Sequence, residues 1–462
     1  MEKEKFFVGL QSHPINFVDE EVDQVIEDTL KGGINAHLIM GNYGSSDKWR
    51  PLKMPMRHSK KRKEYDLYGG FYIDVHEEFY RATNFKPMKT PEPELNKIDI
   101  FDRVIPKAHA AGQEVYVYLT EDATFLYPGY TSIAGIDAHG HIRDMPCVNN
   151  PDYFYHLMAM VEDFTKSYDL DGVFLNWERS GFSGFSPLND LMNAKAPICF
   201  CPHCRRRAKE MGFDLERAKQ GCQKLVALMN NDDINPRLYS KKLYLTFCEY
   251  PEIFQLQRMW QENSFRISEE AYSIVKRFKP NMKVGMNQWP KPSVDFNRLA
   301  DNVDWIKPLT YPLIDGYWYA EQFKKWQHTA LRNYKKEVAL YVFYEICGIE
   351  SIGIPDNIDD IIRDGFPFDF ASAMNSRLID EVDGKCKIYP NVEIGIEFEP
   401  GVHPVLDYNN EENLKKQIVG LTEQVLKLPV DGMVVAAFYE CMRKEDMWLV
   451  GDLLEKAGKI KR

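Results

Sequence analysis

The sequence predicts an α/β protein, a (β/α)8 barrel with long insertions at the C-terminal face of its strands. Three observations predict it. Short segments rich in Val, Ile, Phe and Tyr recur at 5–10, 34–41, 113–120, 171–177, 282–288, 303–311, 392–399 and 431–439, which is the composition of buried strands. Helical periodicity fills the intervals, as in 151–167, 252–278 and 411–427, and strands alternating with helices imply a parallel sheet with helices outside it. The longest connections, 42–98, 121–150 and 178–250, follow the C-terminal ends of the second, third and fourth strands. In such a barrel that face carries the active site, and loops of this length in a compact domain are usually functional.

One segment competes for the strand count. EVALYVFYEICG at 337–348 has strand-like residues, but the helical YAEQFKKWQHTALRNYKK precedes it with no Gly or Pro between. We assign 337–347 to the end of one long helix, which leaves eight strands. The whole chain, 1–462, then reads as a single barrel domain. The segment 178–250 is an insertion after the fourth strand that carries a cysteine cluster.

Hydrophobic residues make up 44% of the 462 and charged residues 27%, an ordinary globular composition. The net charge of −11 argues against a nucleic-acid scaffold, which would carry a basic face. Aromatics reach 13%; they suit sugar rings, and extra core mass accounts for them as well. The start MEKEKFFVGL lacks the apolar run of a signal peptide, and no stretch is apolar enough to span a membrane. A cytoplasmic location is expected, although a secreted form trimmed of its leader would escape this argument. The cysteines number nine and are unevenly placed, which favours a reducing compartment or a metal site over a disulfide framework.

The fourth strand reads DGVFLNWE at 171–178. Alternate residues face opposite ways: Val173, Leu175 and Trp177 suit the helix side, and Phe174, Asn176 and Glu178 the barrel interior. In the seventh strand Glu393, Gly395, Glu397 and Glu399 share the inner side. Glu178 and either Glu397 or Glu399 thus approach one mouth. Glu397 is favoured of the two because it lies nearer the end of the regular strand. Buried charges must be paired or functional, and two carboxylates across a mouth are what glycoside hydrolysis needs. One protonates the leaving oxygen, and the other attacks the anomeric carbon or activates water. Further inner rim residues are polar: Gln11, His13, Asp122, Asn287, Trp289, Tyr311 and Glu440, a ring that fits a carbohydrate. The rival explanation is a set of structural ion pairs, with Arg179, Lys307 or Arg443 as partners, and His13 serves equally well as a hydrogen-bonded structural residue.

Cys199, Cys201 and Cys204 fall within six residues, a spacing at which thiolates share one tetrahedral zinc ion with a fourth ligand from elsewhere. Cys147, in the neighbouring loop after the third strand, is the best fourth candidate, and His203 the runner-up. Free thiols are the bland alternative. No organic cofactor is expected.

These features together resemble the TIM-barrel glycoside hydrolases, in particular clan A enzymes such as glycoside hydrolase family 42 and "hypothetical glycosyl hydrolase" barrels. NWE at 176–178 resembles the Asn-Glu that ends strand four in clan A, with Trp177 interposed. IEFE at 396–399 matches where clan A places its nucleophile. CVNNPDY at 147–153 followed by CFCPHC at 199–204 resembles the family 42 cysteine layout, which implies a structural rather than catalytic metal. The resemblance implies a retaining hydrolase with Glu178 as acid/base. Another group of retaining glycosidases ends strand four in DGVFLD with Asp as nucleophile; here Asn176 stands there, and an amide cannot attack. Two other functions stay open. One is a non-catalytic carbohydrate-binding barrel. The other is a metal-dependent hydrolase, for which QSHP at 11–14 offers a single histidine. Carbohydrate is the expected partner, with no nucleic acid and no membrane; homo-oligomers stay open.

Overall fold

A computed structural model describes residues 5–43, 52–59, 61, 64–67, 69–121, 129–177, 186–349, 354–355, 357–394 and 411–462. Its centre is a ring of parallel strands: β1 (Phe7–Ser12), β2 (Ala36–Met40), β3 (Glu114–Thr120), β4 (Gly172–Asn176), β5 (Lys283–Gln288), β6 (Trp305–Pro308), β7 (Lys387–Ile388), β8 (Asn391–Glu393) and β9 (Gly432–Phe438). The hydrogen-bonded order is β7-β6-β5-β4-β3-β2-β1-β9-β8. The two ends of that order are consecutive in the chain. β7 pairs with β6 and β8 pairs with β9, so Lys387–Glu393 is one barrel strand in two pieces. The join sits at Tyr389-Pro390. Tyr389 N–H donates to Ile306 O at 2.9 Å, and Pro390 O accepts from Val434 N–H at 2.9 Å. Proline has no N–H to give, yet its carbonyl keeps the ladder running, and the ring closes as a (β/α)8 barrel.

Helices follow the strands on the outside. Pro151–Ser167 shows why they form where they do: the Asn150 side chain accepts from Asp152 N–H at 3.0 Å and Pro151 takes the first helical position, the start signals that satisfy exposed N–H groups. Its buried Tyr153, Leu157, Met160, Val161 and Phe164 recur at helical spacing and press on the sheet. Glu252–Phe278 packs Ile267, Ala271 and Ile274 in the same core, while its Ile253, Leu256 and Trp260 join a second cluster around the cysteines. Among the described residues, no helix is long and apolar enough to cross a membrane.

The barrel floor is aromatic. Phe7, Tyr116, Phe174, Trp305 and Tyr389 come from five different barrel strands and touch one another: Phe7 stacks on Tyr389 with centroids 4.5 Å apart, and Phe174 on Trp305 at 4.8 Å. Edge contacts of Tyr116 with Phe7 and Trp305, at 5.8 and 5.9 Å, complete the plug. Facing positions are glycine because the rings fill their space. A Cβ on Gly285 would lie 2.2 Å from the Trp305 indole, and one on Gly172 2.2 Å from the Tyr116 ring.

Three sequence expectations are corrected. The sixth strand ends at Pro308 rather than 311, because Pro312 already opens the helix Pro312–His328. The seventh strand begins at Lys387 rather than 392, since Pro390 interrupts it, and residues 395–399 of the expected strand lie outside the described residues. Residues 337–347 are helical, but in a separate helix, Lys336–Cys347. The preceding helix stops at Thr329, whose hydroxyl donates to Met192 O at 2.6 Å and whose carbonyl accepts from Tyr239 at 2.7 Å. Contacts from distant sequence break a helix that local periodicity would continue.

The plug makes one prediction. Gly285→Ala overpacks the floor and should cost about 1–3 kcal/mol of stability, read as a lowered denaturation midpoint; an unchanged midpoint would show that the Trp305 ring does not depend on this space.

Candidate active site

The C-terminal ends of β4, β5 and β6 form a polar chain above the aromatic floor. Asn176 is the last residue of β4 and lies on the same side as Phe174, whose ring also stacks on Tyr118 at 5.3 Å. Trp177, of opposite parity, is fully buried in the core. Asn287 of β5 donates Nδ2–H to Asn176 Oδ1 at 2.6 Å. Lys307 of β6 donates from Nζ to Asn287 Oδ1 at 3.3 Å and to the Tyr311 hydroxyl at 2.5 Å. Asn176, Asn287 and Lys307 are all buried. Strand parity brings these side chains inward, and the β5–β6 register, Asn287 opposite Lys307, sets them side by side. Trp289 follows on β5's inner parity, half-buried, with the Lys291 ammonium 5.3 Å from its ring centre.

The seventh and eighth strands add acids. Glu393 ends β8, fully buried; Oε2 accepts from Leu313 N–H at 3.2 Å, at the start of helix Pro312–His328. Its Oε1 has no hydrogen-bond partner among the described residues. Burial pushes this carboxyl up to about 8. Beside it, Ile314 packs with Tyr311 and Phe438 in a small apolar patch, and Phe438 also borders the main core. Beyond β9, Glu440 is fully buried and tied to the end of β1: Oε2 accepts from Asn16 Nδ2–H at 2.6 Å and His13 N–H at 3.2 Å. Burial lifts it to about 7.

His13 is also fully buried. Its Nδ1 accepts from Ile15 N–H at 3.1 Å, so Nε2–H is the donor to the Tyr72 hydroxyl at 2.7 Å. Burial pushes the imidazole down to about 3, so the ring is neutral and its nitrogens are used within the protein. Gln11 is buried in the same strand. Of the possible ion partners, Arg443 grips Asp446 with two bonds of 2.8 Å.

The structure thus brings Asn176, Asn287 and Tyr311 together, places Trp289 on the same parity, and sets His13 and Glu440 against each other behind the end of β1. Glu178, Asp122, Glu397, Glu399 and Arg179 lie outside the described residues. Sequence reasoning passed over Glu393 as a site residue and treated Lys307 only as an ion partner. Both had a signal: a charged residue at an inward position of a strand.

The cysteines converge. Cys147, Cys199, Cys201 and Cys204 are all buried, with their sulfurs within 4.8 Å of one another. Cys147 Sγ lies 3.5 Å from Cys201 Sγ and 3.4 Å from Cys204 Sγ. A tetrahedral ion with metal–sulfur bonds near 2.3 Å would set sulfurs roughly 3.8 Å apart, so the four thiols fit a metal ion. Backbone Ile136 N–H points at Cys199 Sγ from 3.4 Å, and Asn149 Nδ2–H at Cys204 Sγ from 3.3 Å. Hydrogen bonds from Cys147, Cys199 and Cys204 hold the Cys201 thiol well below its usual range. His203 stands apart on a helix, within reach of Arg206 at 3.4 Å. The cluster sits where two mouth loops are laced together: Ala138 N–H donates to Pro197 O at 3.1 Å and Phe200 N–H to Ile136 O at 2.8 Å.

No protein-family model and no curated protein matches this sequence. Solved structures do. A β-galactosidase from the psychrophilic Marinomonas ef1 is 10% identical, with a TM-score of 0.53 over 98% of this chain and 60% of its own. The β-galactosidase of Halorubrum lacusprofundi is also 10% identical, with a TM-score of 0.53 over 98% of this chain and 58% of its own. α-L-fucosidase isoenzyme 2 of Paenibacillus thiaminolyticus is 12% identical, with a TM-score of 0.50 over 98% of this chain and 49% of its own. The chain therefore spans about half to three fifths of these glycoside hydrolases, and what it shares with them is the TIM-barrel fold.

Glu393 makes a pH prediction. Between pH 4.5 and about 8 the folded chain keeps a proton that the unfolded chain has released. Stability therefore falls as pH rises through that window, by up to about 1.4 kcal/mol per unit for this group. Glu440 adds the same sign up to about pH 7. Glu393→Gln should flatten the slope measured by urea unfolding from pH 5.5 to 8; parallel slopes for variant and parent would show that Glu393 ionises normally.

Proposed function

We propose that the protein is a glycoside hydrolase that cleaves an O-glycosidic bond with two carboxylates. The observation that carries this reading is the inward chain Asn176–Asn287–Lys307–Tyr311 at the mouth, on a fold shared with β-galactosidases. Glu178, two residues after Asn176 in the sequence, is the proposed general acid/base. Glu397 or Glu399 is the proposed second carboxylate on the seventh strand, with retention favoured. The polar chain and the Tyr311–Ile314–Phe438 patch suit a sugar, which offers hydroxyls at its rim and C–H groups on its face. Asn176, Asn287, Trp289 and Tyr311 are the proposed substrate contacts, with Asp122, His13 and Glu440 at its margin.

Glu178→Gln should abolish hydrolysis of 4-nitrophenyl glycosides while thermal unfolding is unchanged; activity within a fewfold of the parent would remove Glu178 from the chemistry. A complex with a bound monosaccharide measures the carboxyl separation, which is about 5–5.5 Å for retention and about 6.5–9.5 Å for inversion. Sugar binding without turnover across a broad panel would instead favour a carbohydrate-binding barrel, in which Asn176 replaces an acid.

We propose that Cys147, Cys199, Cys201 and Cys204 hold a structural zinc ion. Four thiolates fill a tetrahedral shell, so the ion would brace the mouth loops rather than meet substrate. Elemental analysis should find one zinc per chain. Cys201→Ser should lose the ion and lower the melting temperature; metal-free protein with an unchanged melting temperature would refute the site.

A further inference from the structure

We infer that Lys307 is a positioning residue: acting through Asn287, it holds the Asn176 side-chain amide with its N–H donors turned to the barrel mouth. The group facing Asn176 in a complex is then read as a hydrogen-bond acceptor.

A lysine ammonium has three donors and no acceptor. Lys307 Nζ lies 3.3 Å from Asn287, so the Asn287 carbonyl must face it. The opposite orientation would press an NH2 group against an ammonium inside a buried site, where unmatched polar groups are costly. With Oδ1 spent on lysine, Asn287 presents Nδ2–H to Asn176 at 2.6 Å. Asn176 must answer with its own carbonyl, which leaves its Nδ2 as the outward group. That nitrogen makes no hydrogen bond to a described residue. Below it lies the Phe174 ring, stacked on Tyr118 and Trp305, and no hydrogen bond joins Asn176 Nδ2 to the described atoms of that floor. On the far flank, the end of β3 is already satisfied. Thr120 N–H donates to Asn42 Oδ1 at 2.9 Å, and Thr120 O accepts from Asn42 Nδ2–H at 2.8 Å. The mouth is the remaining direction. Three strands thus pass one instruction sideways: a charge on β6 decides which face an uncharged amide shows on β4. Linked hydrogen bonds polarise one another, so the ammonium also sharpens the donor strength of Asn176.

The orientation stands on these contacts alone; its consequence for a sugar rests on the glycoside hydrolase reading. The test uses the full-length protein labelled with 15N at asparagine side chains. The Nδ2 resonances of Asn176 and Asn287 are compared in the parent, Lys307→Met, Lys307→Arg and Asn287→Asp. Lys307→Met should shift or split both sets, and Lys307→Arg, which also only donates, should restore them. Asn287→Asp keeps an acceptor for Lys307 but cannot donate to Asn176. It should draw the Asn176 NH2 inward and move its resonances, which keeps the test decisive should Lys307→Met fail to fold. Asn176 resonances that ignore Asn287→Asp, or a folded Lys307→Met that leaves them in place, would overturn the inference. On 4-nitrophenyl glycosides, Lys307→Met should lose roughly tenfold in kcat/KM, the value of one hydrogen bond, with Lys307→Arg recovering most of it. If the parent hydrolyses none of them while the resonances respond as expected, the glycoside hydrolase reading fails and the amide orientation stands.

Discussion

Ring closure over an aromatic floor is the constraint on which the rest of this molecule depends. Eight barrel strands leave no sheet edge, and Phe7, Tyr116, Phe174, Trp305 and Tyr389 fill the lower interior across five of them. Such a floor admits no charge. Charged and polar residues of inward parity sit at the strand ends instead: Glu114 and Lys283 pair at the N-terminal side, and Asn176, Asn287 and Lys307 are delivered to the mouth at the C-terminal side. Small residues opposite the rings make the packing possible, since Gly172 and Gly285 leave room that even a methyl group would occupy.

Above that floor, burial dictates chemistry. Polar side chains withdrawn from water must find partners, and here they find one another across neighbouring strands. Asn176, Asn287, Lys307 and Tyr311 form one chain. Glu440, Asn16, His13 and Tyr72 form another at the junction of β9 with β1. The two differ in consequence. In the second, His13 and Glu440 are turned to fixing the end of β1. In the first, the chain begins with an ammonium and ends in an amide at the mouth. Glu393, capped by Leu313 N–H and raised by burial to about 8, adds a carboxylic acid that stays protonated at neutral pH beside an apolar patch. A neutral acid in such a place donates a hydrogen bond where an ordinary glutamate would accept one.

The cysteine cluster addresses a separate difficulty. Long connections after β3 and β4 carry little of the barrel's core, and ordering them costs conformational entropy. Their own buried cluster, with Leu191, Ile198, Phe200, Leu215, Leu225 and Trp260 around the four thiols, supplies apolar burial. The sulfurs supply a point where both loops meet.

Much of the architecture was legible in the sequence because it is written in short-range periodicity. Helices 151–167 and 252–278 could be bounded from their apolar spacing, and the inward facing of Asn176 from strand alternation. The cysteine grouping could be read because three of its members lie within six residues. Tertiary structure alone decided the rest. It broke the helix at Thr329 through contacts with Met192 and Tyr239, and it bent the seventh strand at Pro390 so that each half pairs with a different neighbour. It also decided which inward side chains touch, because side-by-side contact depends on register between strands, and Asn176 and Asn287 meet across 111 residues of sequence. Alternation tells which way a residue points; only the closed ring determines what it meets there.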